Sequence, residues 1–221
     1  MAIEFYWEPE ISYIIPIALW VFTYIALIIW AKDTKKQGTH TKQINFLQIV
    51  GIFILAWYAI YFFLPSVRFT FPPPTTEIDL LIYNLVYFFY NFIPNLLFIL
   101  LGIALMFYVN KNYALDNRKV IIGPILFLAG HVTFLFLQVS SFLLYYIVFP
   151  IWSEIYRIYI FADPIVMLLL IAGACLLLLF SIRLNRDFFN FFTSLLLASL
   201  IVSFLFEINY TSWYVYYWWG L

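Results

Sequence analysis

Long uncharged runs alternate with short charged clusters along the whole chain. Residues 11–31, 43–67, 80–110, 120–153, 164–182 and 188–206 contain no Asp, Glu, Lys or Arg. A helix rises about 1.5 Å per residue and the hydrocarbon core of a bilayer is about 30 Å thick, so about 20 apolar residues make one crossing. Each run therefore predicts one transmembrane helix, over roughly 11–31, 44–64, 80–108, 120–149, 164–183 and 188–208. The third and fourth runs exceed one crossing but are too short for two. Pro94 marks a candidate kink in the third.

The segments between the runs are short, so residues 1–221 read as a single transmembrane domain with no soluble part. The first connection, KDTKKQGTHTKQ, is polar, and His40 sits in it among solvated residues. The second contains FPPPTTE, whose three prolines favour a stiff, extended connector. In PIWSEIYRIYIFAD, residues Ile151, Ile155, Ile158 and Ala162 recur at helical spacing, with Glu154 and Arg157 on another side. That pattern predicts a short helix lying in the interface, followed by Asp163-Pro164 as cap and first residue of the fifth span. The C-terminal NYTSWYVYYWWGL is dense in Trp and Tyr and reads as a tail along the headgroups. Asn209-Tyr210-Thr211 fits the glycosylation acceptor pattern, but it follows the sixth span so directly that we treat the match as chance.

Charge sets the orientation. Lys32, Lys35, Lys36, Lys42, Lys111, Arg118, Lys119, Arg183 and Arg186 fall after spans one, three and five, against Arg68 and Arg157 on the opposite side. The positive-inside rule then puts loops one, three and five in the cytoplasm, with both termini outside and the protein in the cell membrane. The acidic N-terminus, MAIEFYWEPE, lacks the basic start of a signal peptide, so the first span is expected to direct its own insertion.

Composition agrees. Apolar types make up 66%, aromatics 24% and charged residues 10%, with a mean hydropathy of +0.99 and no net charge. A soluble domain carries about 25% charged residues. This chain lacks the charge to cover a water-facing surface, and its apolar content excludes disorder. The balanced charge offers nothing to nucleic acid. A lone cysteine, Cys175, forms no internal disulfide and reads as apolar filler.

Polar groups within the spans carry the candidate chemistry, because in lipid they turn towards the bundle or a cavity. Asn84, Asn91 and Asn95 share one face of span three, bordered by Tyr87. In span four, His131 and Gln138 are seven apart on one face. Depth along the helices brings Asn91 and His131 both near the midplane, which predicts a polar seam of Asn84, Tyr87, Asn91, Asn95, His131 and Gln138. Ser199, Ser203 and Glu207 form an i, i+4, i+8 row in span six. Arg68, Glu154, Arg157, Asp163 and Glu207 gather at the outer ends as a charge cluster. The seam suits either a ligand or hydrogen-bonded packing.

No residue set calls for a cofactor or metal. One membrane histidine does not supply the usual axial pair of a b-type haem, and no His/Cys/Asp spacing suits a metal. There is no HExxH, GxSxG or phosphate-cradling Gly-rich loop. The expectation is an all-α bundle of six transmembrane helices, contacting membrane lipids and possessing no catalytic constellation. It serves as a subunit of a membrane complex, with other membrane proteins or its own copies, or as a module binding an amphipathic ligand. A small-solute transporter or channel is the alternative, resting on the polar stripes, and a membrane enzyme using the outer acids comes third.

Overall fold

The computed structural model describes residues 11–36, 41–63, 77–113, 118–147, 152–183 and 187–219. Six helices follow one another: α1 (Ile11–Lys36), α2 (Thr41–Phe63), α3 (Glu77–Tyr113), α4 (Ile122–Ile147), α5 (Trp152–Arg183) and α6 (Asp187–Trp219). A 3-10 turn, Arg118–Ile121, leads into α4. Five stretches are long and apolar enough to cross a membrane: Ile15–Lys36, Lys42–Ile60, Phe92–Lys111, Ile122–Ser140 and Pro164–Ile182. In α6 the apolar stretch among the described residues, Phe189–Leu205, is shorter. The fold is an all-helical, membrane-embedded bundle.

Two helices run further than the sequence predicts. The interfacial helix does not stand apart: Trp152–Arg183 is a single helix passing through Asp163 and Pro164. Proline withholds one N–H from the carbonyl four residues back, whereas ending one helix and starting another leaves up to four donors and four acceptors without helical partners. Close to lipid the second cost is the larger one. The aromatic C-terminal segment is likewise no separate tail, since α6 continues to Trp219. At about 1.5 Å per residue, α3 is about 55 Å long and α6 about 50 Å, well beyond the hydrocarbon core. Their ends reach the headgroups and beyond, where Trp, Tyr and charged side chains are stable without ending the helix.

The helices close into a ring. Each packs on its neighbours in chain order, and α6 packs back on α1; among the described residues no backbone contact crosses the middle. Every neighbouring pair with a described contact is antiparallel. Lys35 donates to Gln48 near the start of α2, while Tyr24 stacks on Tyr58 further along it. Gly102 on α3 meets Leu128, and Phe98 meets His131. On α4 and α5, Gly123 approaches Leu177 and Gly130 approaches Leu170. Ser181 pairs with Thr193 between α5 and α6.

Small residues decide how closely α4 and α5 approach. A Cβ on Gly173 would stand 2.7 Å from the backbone nitrogen of Phe127 and 2.9 Å from the carbonyl oxygen of Gly123. Both are main-chain atoms that cannot swing aside, so glycine is what lets the two backbones touch.

Large side chains fill the ring. Trp20, Tyr24, Leu27 and Trp30 present one buried face of α1, and Phe98, Leu101, Leu105 and Tyr108 one buried face of α3. Trp30, Tyr108 and Phe189 meet from α1, α3 and α6 with centroids 5.1 to 5.7 Å apart, so α3, whose backbone touches neither α1 nor α6 among the described residues, reaches both through side chains. The outward faces are equally apolar: Phe22, Phe53 and Phe136 are exposed, as suits side chains solvated by lipid.

Candidate functional site

The candidate site is built where α1, α2, α3 and α4 turn their aromatic faces inward. On α4, Phe127 and His131 lie one turn apart on a buried face. The His131 imidazole stacks on the Phe98 ring of α3 with centroids 4.8 Å apart and planes 11° apart. Phe127 meets it edge-on at 4.7 Å. His131 is 4% exposed, and neither Nδ1 nor Nε2 has a hydrogen-bond partner among the described residues.

The other side of this layer comes from α1 and α2. Trp20 and Tyr24, one turn apart, stack on each other at 5.9 Å, and both stack on Tyr58 of α2. Phe98 contacts both, at 5.4 Å from Trp20 and 6.2 Å from Tyr24. The Tyr24 side chain is fully buried, and its hydroxyl has no partner among the described residues. Phe98 is thus a ring neighbour of both Tyr24 and His131, the two residues of this layer whose buried polar atoms have no partner among the described residues.

Hydroxyl groups around the layer are, by contrast, satisfied. The Trp20 indole N–H donates to Ser203 Oγ at 3.1 Å, and the Thr23 and Ser199 hydroxyls are 2.9 Å apart. Thr23 Oγ1 and Ser199 Oγ also lie 2.8 Å from the Leu19 and Leu195 carbonyls of their own helices; with one hydrogen each, one hydroxyl donates to its carbonyl while the other donates across the seam. Two serines of the span-six row therefore face α1. The third member, Glu207, has its side chain outside the described residues.

Of the seam residues, Asn95 and Gln138 meet. The Asn95 Nδ2–H donates to Gln138 Oε1 at 2.7 Å between α3 and α4. This pair sits one turn from Phe98 along α3 and two turns from His131 along α4. Asn84, Tyr87 and Asn91 belong to α3, but their side chains lie outside the described residues. Asn91 is seven residues back from Phe98, about 10 Å of helical rise from the level of His131.

The outer charge cluster is only partly placed. Glu154, Arg157 and Asp163 are on α5 and Glu207 on α6, neighbouring helices, with their side chains outside the described residues. Arg68 lies outside them altogether.

Trp20, Thr23, Tyr24, Tyr58, Phe98 and Phe127 were not singled out by the sequence. Their signal is faint, because aromatic residues are as common on the lipid faces as inside. The 20–23–24 spacing does mark one helix face, and Thr23 is its polar member.

The layer offers uncharged hydrogen-bonding groups in an aromatic setting. Among the described residues the buried polar side chains are Thr23, Thr34, His131, Ser181, Thr193 and Ser199, with no buried acid, Lys or Arg. No group of three or more His, Cys, Asp or Glu side chains among them could hold a metal. In comparisons with known proteins, no family model, curated protein or solved structure matches the chain.

Proposed function

We propose that the protein is a non-catalytic membrane module that binds an amphipathic ligand within its helix ring. One observation carries the reading: His131 is buried at mid-span, and neither ring nitrogen has a partner among the described residues. Most buried polar groups in native proteins have partners, and leaving one without costs about 1–3 kcal/mol. A ligand's polar group meeting His131 removes that cost, and the Asn95–Gln138 pair on the same two helices extends the polar strip outward.

The arrangement in the membrane follows from charge and helix count. We place six crossings in the cell membrane, with loops one, three and five in the cytoplasm and both termini outside. Reporters fused to each terminus test this, and a cytoplasmic C-terminus refutes it. Partners are membrane lipids and, in the complex-subunit form of the reading, other membrane proteins.

Native mass spectrometry of the chain purified in mild detergent tests the binding reading. The expected result is a retained small-molecule adduct that disappears in His131→Phe while the protein stays folded. Equal adduct in both proteins, or none in either, refutes the reading. A stoichiometric protein partner without an adduct favours the subunit role, and solute flux through reconstituted protein favours transport.

A further inference from the structure

Two exposed lysines stand at the same end of neighbouring helices. Lys42 begins the apolar stretch of α2, and Lys111 ends that of α3. Helix α3 runs in the same sense as α1, since Trp20 meets Phe98 and Trp30 meets Tyr108, and α2 runs opposite to both. Tyr58 and Phe98 both border Trp20 and Tyr24, so they mark one level of α2 and α3. From that level Lys42 lies about 24 Å away and Lys111 about 20 Å away in the same direction, within one helical turn of each other.

The exposed faces behind these lysines are apolar. On α2 the face runs from Lys42 through Asn45 to Ile49 and Phe53; on α3 it runs from Lys111 and Asn110 to Phe107 and Leu100. Each face carries a cation and an amide at its tip and about 16 Å of helix behind the cation, the depth of one leaflet of hydrocarbon. The lysines have no counter-charge among the described residues. The ion pair recorded there joins Lys36 to Asp33 on α1, and Lys35 is engaged with Gln48. Helix α2 contains no acid and α3 none beyond Asp79. Asp116 lies outside the described residues, and Asp187 opens α6, whose backbone touches neither helix among the described residues.

Two ammonium groups and two amides supply N–H donors, which suit the oxygens of a phosphodiester. Packed helices lie about 8–10 Å apart, a gap that one headgroup bridges. A zwitterionic headgroup brings its own cation towards the lysines and gains less from them. We propose that the outer face of the α2–α3 pair binds an anionic phospholipid, its phosphodiester held by Lys42 and Lys111 with Asn45 and Asn110, and its chains lying along the apolar faces behind them. This site goes beyond the His131 reading: it lies on the outside of the ring and needs no opening in the aromatic layer.

The test titrates the full chain, delipidated in neutral detergent, with dioleoyl-phosphatidylglycerol and dioleoyl-phosphatidylcholine and reads the bound lipid by native mass spectrometry. The first phosphatidylglycerol is expected to bind the more tightly, with a preference that falls as salt is raised. Lys42→Gln and Lys111→Gln each weaken it about fivefold, and the double variant about thirtyfold, to the level of phosphatidylcholine. Lys32→Gln combined with Lys36→Gln removes the same charge from α1 at the same end and leaves the preference in place. Glycerol 3-phosphate, which has no chains, does not compete.

Equal affinity for the two lipids overturns the proposal, as does a preference that survives the Lys42/Lys111 double variant. An equal loss in the Lys32/Lys36 variant assigns the preference to the diffuse charge of that end and overturns the site. Competition by glycerol 3-phosphate assigns the lysines to a soluble phosphate and overturns the lipid. Phosphatidylglycerol binding is expected to be unchanged in His131→Phe; its loss there moves the lipid inside the ring and overturns the α2–α3 site while supporting the binding-module reading. All four lysines are exposed, and unfolding midpoints close to that of the parent show that the variants keep the fold.

Discussion

Replacing Tyr24 by Phe should stabilise the ligand-free protein. The substitution keeps the ring, and with it the stacking on Trp20 and Tyr58 at 5.9 and 6.2 Å. It removes one hydroxyl oxygen that is fully buried and unpartnered among the described residues. Such a group costs about 1–3 kcal/mol relative to one that is solvated. In detergent-unfolded chains the hydroxyl reaches headgroup water, so most of this cost is borne by the folded state. The void left by one oxygen is smaller than a methyl group and offsets part of the gain. The net expectation is a gain of about 1 kcal/mol, or about fivefold in the ratio of folded to unfolded protein. Equilibrium unfolding of delipidated protein in mixed micelles reads this as a midpoint shifted to higher denaturant. Trp20→Phe serves as the contrast, because it removes a donor that is bonded to Ser203 at 3.1 Å and should destabilise. If Tyr24→Phe lowers stability by about 1 kcal/mol or more, the hydroxyl has a partner in the folded protein and the reasoning from orphaned groups collapses.

Other substitutions probe the packing independently. Gly173→Ala drives a methyl group against the main chain of Phe127 and Gly123 and should cost about 2 kcal/mol or more, or prevent folding, whereas Gly51→Ala meets the Leu27 Cδ2 methyl at 3.1 Å and should cost far less; comparing their unfolding midpoints checks the difference. A double-mutant cycle of Thr23→Ala and Ser199→Ala should return a coupling of about 0.6–1.7 kcal/mol, and a value near zero would deny the 2.9 Å contact any part in closing the ring. The same cycle on Asn95→Leu and Gln138→Leu should give a coupling in that range, with each single variant costing more than the double, because a single change strands the remaining amide.

The helices were legible because bilayer thickness sets their length and charge marks their ends. Each span read from the sequence has a corresponding helix, with boundaries drawn short wherever charged or aromatic residues extend it past the hydrocarbon. The α5 boundary at Pro164 followed a rule from soluble proteins, where a proline often opens a helix; the backbone's own hydrogen bonding prevailed instead. Asn95 and Gln138 were legible because polar side chains have few places to go in lipid. The aromatic layer was not. Phe98 inside and Phe136 outside have the same chemistry, and partition into lipid does not separate them. Nor does spacing within one helix reveal Thr23 facing Ser199, a contact between the first and last helices.

That last contact bears on how the bundle assembles during synthesis. Five of the six helix seams join consecutive helices, so each can form as soon as its second member enters the membrane. The α1–α6 seam waits for the whole chain, and in the interval the Thr23 face of α1 has only lipid beside it. The hydroxyls tolerate the wait, because Thr23 donates to Leu19 and Ser199 to Leu195 within their own helices. The Trp20 indole N–H has no acceptor recorded on α1 and gains one when Ser203 arrives. Closure thus adds the Trp20–Ser203 bond and redirects one hydroxyl of the Thr23–Ser199 pair from its own helix to its partner, so groups that were mostly satisfied beforehand let a nascent, open ring persist in the bilayer until its final helix is made.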